Sequence, residues 1–130
     1  MSECGCIYVG VDDYGPEAVT IRTARKEHRC GECRMPIVPG QRYEIRVQFS
    51  QGSARTYKAC LCCAEIRNAF FCEGWFYGTV WSDIEDSLFD RGPLNSACLD
   101  KLSTVDAKQF LQRRWMDWVD RRTKAFSERT

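Results

Sequence analysis

Two cysteine pairs stand out for what their spacing can do. Cys30-Gly31-Glu32-Cys33 and Cys60-Leu61-Cys62-Cys63 are both C-x2-C, with 26 residues between them. Two intervening residues let the chain fold around one ion and present both thiolates to it. Four thiolates complete a closed tetrahedral shell, the usual form of a structural zinc site. Soft sulfur ligands with no vacancy favour zinc, or iron in its place, over magnesium or calcium. Cys30, Cys33, Cys60 and Cys63 are therefore the expected ligands of one structural Zn2+. Cys62 offers a rival C-x-C pairing with Cys60, which suits a helix start less well. The competing reading of all of these residues is a set of buried, reduced thiols.

The remaining cysteines are harder to place. Cys4, Cys6, His28 and Cys72 have the ligand types of a second zinc site, without a spacing that demands one. Against that stands a reading as small buried side chains. Cys98 lies on an apolar stretch with Leu94 and Leu102 and reads as core. His28 is the only histidine. Nine cysteines are an odd number, so a complete disulfide framework is excluded, and the clustering is better explained by metal than by bridges. No apolar run approaches the roughly 18 residues of a membrane span, and Met1 to Gly10 is too short and polar for a signal peptide. The expectation is a cytoplasmic protein with reduced thiols and no membrane partner.

Catalysis finds little support in the residue set. A closed four-cysteine site lacks the open coordination position that zinc catalysis needs. Zinc nucleases that share such a scaffold also need a histidine base and further ligands, and one histidine upstream of the first pair cannot supply them. The deaminase signature, a P-loop, G-x-G-x-x-G and G-x-S-x-G are all missing from the sequence. The chain is expected not to be an enzyme.

The elements that must position the cysteines follow from pattern. With 130 residues, 44% hydrophobic and 28% charged, the chain is long enough for one cored domain. Cys4 to Val11 reads as a short strand, Asp12 to Pro16 as a loop, and Val19 to Ala24 as a strand. Gly31, Pro36, Pro39 and Gly40 mark turns. Residues 41–50 alternate, with Tyr43, Ile45, Val47 and Phe49 on one face, and residues 54–59 return to complete a hairpin. Helices are expected over 60–71, ended by Gly74, and over 79–89, 95–102 and from about 103 onward. The last would be capped by Ser103 with Asp106, its period marked by Ala107, Leu111, Trp115, Trp118, Val119 and Arg122. Residues 127–130 should fray. Knuckle, β-hairpin and helix in that order define a treble-clef-like zinc module. The expected architecture is α+β, one domain over 1–130, with the zinc module in 1–78 and a C-terminal helical extension in 79–130.

Net charge is +1 overall but uneven. Residues 17–67 carry ten bases against five acids, and residues 68–103 carry two bases against six acids. Arg42, Arg46, Arg55 and Lys58 sit on the expected hairpin and are candidates for nucleic-acid backbone contacts. The rival reading is a solvated outer face. Trp75, Tyr77, Trp115 and Trp118 are candidates for a protein-binding surface, since such residues dominate binding hot spots; the rival is core packing. The last helix also offers a homodimer surface.

The stretches Ala24-Arg25-Lys26-Glu27-His28-Arg29-Cys30-Gly31-Glu32-Cys33, Ile37-Val38-Pro39-Gly40-Gln41-Arg42-Tyr43 and Lys58-Ala59-Cys60 through Cys63 resemble a family of small phage and prophage zinc-binding proteins. The likeness extends to Cys4-Gly5-Cys6-Ile7-Tyr8-Val9 and to Ile66-Arg67-Asn68-Ala69-Phe70-Phe71-Cys72-Glu73-Gly74-Trp75, covering about residues 4–90. The resemblance implies a bacterial host cell and an accessory role without a known activity. A role of that kind would be exercised by binding a host or phage protein, for instance as a counter-defence (anti-CRISPR-like) inhibitor. The alternative is a nucleic-acid-binding zinc finger that uses the basic hairpin.

Overall fold

The computed structural model describes residues 4–11, 16–50 and 52–129. The expected loop at 12–15 lies outside them. Strand β1 (Glu17–Thr23) pairs antiparallel with β4 (Arg42–Ser50), which pairs antiparallel with β5 (Ser53–Cys60). The sheet order is β1-β4-β5. Between β1 and β4 lies a second, very small ladder, β2 (His28–Arg29) with β3 (Pro36–Ile37). Helix α1 (Leu61–Phe70) follows β5 without a break. Then come α2 (Val80–Ser87), a 3-10 turn (Phe89–Arg91), α3 (Ser96–Asp100) and α4 (Val105–Arg129). The fold is mixed α+β, and one hydrophobic cluster runs from Ile7 through Leu111.

Several elements fall where periodicity placed them. The β4–β5 hairpin closes tightly at the Ser50–Ser53 pair, with Gly52 at φ +79°, a conformation that costs glycine little. Other boundaries moved. Residues 4–11 form no strand: the segment runs as an irregular strap, anchored where the Ile7 N–H donates to the Phe70 carbonyl at 2.7 Å and Ile7 itself is buried. Helix α1 stops at Phe70, four residues before Gly74. Helix α4 continues through Arg129, and Thr104 rather than Ser103 provides its N-terminal cap: the Thr104 hydroxyl accepts from Ala107 N–H at 3.2 Å.

Part of the polar face of the sheet is covered, which the hydropathy pattern does not predict. Glu44 and Arg46 point to the covered side, under α1 and the 75–77 segment, whereas Phe49 on the other side is 46% exposed. The covered face is held by an ionic chain. Arg67 of α1, 1% exposed, pairs with Glu44; Glu44 also accepts from Arg46 Nε at 2.8 Å; Arg46 reaches Glu17 at 2.9 Å. Trp75 stacks on both guanidiniums, 5.0 Å from Arg46 and 4.2 Å from Arg67. Paired and stacked in this way, the buried charges are tolerable; a single one left behind would not be.

Glu44→Ala should therefore destabilise the protein by about 3–5 kcal/mol in urea unfolding, because Arg67 loses its partner in the interior. The double change Glu44→Leu with Arg67→Met should recover most of that loss. A double variant as unstable as the single one would contradict this account.

Candidate metal centre

Four sulfurs converge below the sheet. The Sγ atoms of Cys30, Cys33, Cys60 and Cys63 all lie within 4.8 Å of one another, and all four residues are buried. Cys33 Sγ and Cys60 Sγ are 4.0 Å apart. Tetrahedral bonds of roughly 2.3 Å to one ion would put sulfurs roughly 3.8 Å apart, so the cluster has the size of a metal shell.

Local structure brings each pair to its place. In the first pair the chain turns back within six residues: the Arg34 N–H donates to the Cys30 carbonyl at 3.1 Å and the Cys30 N–H to the Met35 carbonyl at 3.0 Å. Arg34 takes the left-handed conformation, φ 66°. Gly31 lies flat against β5, donating to the Lys58 carbonyl at 2.8 Å. A Cβ there would stand 3.2 Å from that oxygen, so the turn needs a small residue to dock on the strand. In the second pair, Cys60 ends β5 as the N-cap of α1 and Cys63 is three residues on. Positions three apart share a helix face, so Cys63 turns inward. Cys62 turns away, half-buried beside Glu65 and Asp106, where burial and those two acids push its thiol pKa up.

Donors surround the sulfurs. The N–H groups of Glu32 and Cys60 both point at Cys30 Sγ, each at 3.4 Å, and the Trp81 indole N–H points at Cys63 Sγ at 3.3 Å. Four thiols this close share protons unevenly. Hydrogen bonds from Cys33, Cys60 and Cys63 pull the Cys30 pKa far below the ordinary thiol range, and the same contacts push Cys60 and Cys63 far above it. A divalent cation in the middle replaces those shared protons and suits all four sulfurs at once.

Glu32, inside the first C-x2-C, ties the cluster to its surroundings. Its carboxylate accepts from Gly78 N–H at 3.0 Å and from Val80 N–H at 3.3 Å, which seats the start of α2 on the knuckle. Burial raises its pKa, while those two donors and Arg67 act the other way. Trp81, the second residue of α2, makes the second tie through Cys63. Neither residue is marked by the cysteine spacing; only an acid inside a metal knuckle hints at Glu32.

The other sequence candidates are dispersed. Cys4 is bonded to Cys98 and Cys6 to Cys72, so these four are disulfides and not four separate reduced side chains. Cys98 is buried as expected but is covalently paired, 94 residues from its partner. His28 lies elsewhere, its ring 5.0 Å from Tyr43 and its Nδ1 3.2 Å from Lys58 Nζ. Among the described residues, Cys4, Cys6, His28 and Cys72 do not converge as one ligand set. The hairpin cations do not share a face either. Arg42, Arg46 and Arg55 alternate onto one side and Lys58 onto the other, and Arg46 is held by Glu17 and Glu44. Trp75 is buried, Tyr77 stacks on Tyr57 at 3.7 Å, and Trp118 packs on Phe89. Trp115 is half-buried, its indole nitrogen out of solvent. These aromatics serve the interior more than an open surface.

The class defined by fold and site is a mixed α+β protein built around a buried four-cysteine cluster compatible with a zinc module. Compared with protein-family models, curated proteins and solved structures, the chain matches none of them. No helix among the described residues is long and apolar enough to cross a membrane.

Two substitutions separate ligand from neighbour. Cys63→Ser should remove one metal ion per chain, measured by elemental analysis, and Cys62→Ser should leave the count unchanged. Trp81→Phe should keep the ion but weaken its hold, by about 10-fold in competition with a chelator. Equal metal loss in the two cysteine variants would overturn the ligand assignment.

Proposed function

We propose that the four thiolates hold a structural zinc in a treble-clef-type module, and that this non-enzymatic module binds nucleic-acid backbone along the knuckle. The observation that carries the reading is the grouping of cations around the knuckle. One open cleft, of about 780 Å³, is lined by Arg22, Thr23, Arg25, Lys26, His28 and Tyr43. A second, of about 620 Å³, has Arg29, Arg34, Lys58, Tyr57 and Tyr77 in its walls. Strand β2 supplies His28 to the first and Arg29 to the second, so the two clefts adjoin. Five of these six cations are exposed, and Lys58 is half-exposed. Glu32, the acid in the second cleft, is occupied with the start of α2.

Arg34 adds weight. A left-handed backbone costs a side-chain-bearing residue about 1 kcal/mol or more relative to glycine. Arginine at that point puts a guanidinium into the cleft, beside Gly78. Zinc with four thiolates has a formal charge of −2, which the ring of cations also offsets. Sequence-independent phosphate contacts need only such a ring.

A second reading follows the resemblance to phage accessory proteins: docking on a host or phage protein, with counter-defence inhibition as one form. The observation that favours it is the flank of α4, where Met116 is 58% exposed and Phe110, Trp115, Trp118 and Val119 are half-buried. The same flank would serve a homodimer.

Fluorescence anisotropy with labelled single- and double-stranded oligonucleotides tests the first reading. Binding should weaken about 1,000-fold between 50 and 200 mM salt if six phosphates are contacted. Arg22→Ala, Lys26→Ala and Arg34→Ala together should remove most of it, and Arg113→Ala on α4 should not. A folded, metal-loaded protein that binds neither oligonucleotide at 50 mM salt would sink the nucleic-acid reading. Nuclease-resistant capture of a single protein would then favour docking.

A further inference from the structure

Four of the five cysteines outside the first cluster form two bridges that start with one residue between them. Cys4 and Cys6 lie on the N-terminal strap, Cys72 follows α1, and Cys98 is in α3. The Cα atoms of Cys4 and Cys98 are 4.9 Å apart and those of Cys6 and Cys72 are 5.7 Å apart. Only Gly5 separates the two bridges, and two residues of chain span at most roughly 7 Å. Each of the two strap cysteines is bonded to a partner from a different element. Three elements thus contribute to two bridges that neighbour each other along the strap.

We propose that these four cysteines are a second zinc site, filled when the two disulfides are reduced. The proposal stands independently of any nucleic-acid or protein partner. Cys30, Cys33, Cys60 and Cys63 are free thiols in the same molecule. An environment that keeps such thiols reduced also reduces accessible disulfides, and Cys72 is exposed. The strap does not depend on the bridges for its position. Ile7 is buried and bonded to Phe70, and Lys101 Nζ reaches the Gly5 carbonyl at 3.4 Å. Reduction therefore leaves two thiol pairs side by side along the strap. Two cations stand beside them: Lys101, and Arg91, whose guanidinium is 4.0 Å from where a Cβ on Gly5 would be. They suit the −2 charge of a zinc tetrathiolate, whereas a pair of neutral disulfides gives them nothing to balance.

The chemistry closes. Each disulfide takes two electrons and two protons from a dithiol reductant, which leaves as its own disulfide. The four thiols then release four protons as Zn2+ forms one bond to each sulfur. His28, the sequence candidate for this site, has no part in it; Cys98 takes its place.

Metal counting on the intact protein tests the idea. Protein equilibrated with Zn2+ under a dithiol should carry one more zinc per chain than the same protein after mild oxidation. Cys4, Cys6, Cys72 and Cys98 should resist alkylation until a chelator is added. The Cys4→Ser/Cys6→Ser variant should show no redox-dependent difference, which separates this site from the first cluster. In wild-type protein with Co2+ substituted, the thiolate-to-cobalt absorption should rise on reduction. Equal zinc in the reduced and oxidised wild type, with four readily alkylated thiols in the reduced form, would overturn the proposal. That outcome requires no variant to fold.

Discussion

The convergence of four sulfurs between a turn and a helix start is the constraint on which the other elements rest. Cys30 and Cys33 lie before β4, Cys60 and Cys63 after β5, so closing the cluster fixes both ends of the hairpin. It also fixes the direction in which α1 leaves the sheet, because Cys60 is its cap and Cys63 its first inward residue. Helix α1 has no side-chain cap at its start. A metal tetrathiolate there would supply negative charge to the positive end of the helix, which is where such charge is favourable. The knuckle in turn presses Gly31 onto the Lys58 carbonyl, so the small β2–β3 ladder and the large sheet are joined by backbone as well as by sulfur.

What could be read in the sequence was what is local. The C-x2-C spacing, the choice of Cys63 over Cys62 and the alternation of β4 are properties of short segments, and the structure places them accordingly. The fate of Arg46 is not local. Alternation alone put it on the outer face with Arg42, but Glu17 in another strand and Trp75 beyond α1 claim it for the covered side. Tyr43, Ile45, Val47 and Phe49 share a face as the pattern required, yet only Tyr43 is fully buried. The two disulfides were still less visible. Cys4 and Cys98 are 94 residues apart, and no spacing rule selects that partner from the eight other cysteines.

The buried ionic chain explains why the polar face of the sheet can be the inner one. Two arginine and two glutamate side chains alone would be expensive to bury. Here each carboxylate faces a guanidinium, and the ring of Trp75 lies against both cations. Tyr77 completes the chain by donating its hydroxyl to Glu17 at 2.7 Å while stacking on Tyr57. On the opposite face Tyr43, across from Cys60, is buried, while Phe49 near the hairpin tip is exposed. Stability at that end of the sheet comes from pairing between strands more than from a core beneath it.

The helices are positioned by carboxylates borrowed from other elements. Glu32 of the knuckle receives the N–H groups of Gly78 and Val80 at the start of α2. Glu65 of α1 receives those of Ser103 and Thr104, at 2.7 and 3.1 Å, and the Thr104 hydroxyl, at the start of α4. Unpaired N–H groups at a helix start need such acceptors, and an anion there also meets the helix dipole. The consequence is a chain of dependence. The sulfurs set the knuckle and α1, and Glu32 and Glu65, one on each, then set α2 and α4. A disturbance of the cluster would pass through these two side chains to helices that contribute no sulfur to it. For this reason the four-cysteine cluster organises the molecule well beyond its own residues, and the clefts beside the knuckle inherit their shape from it.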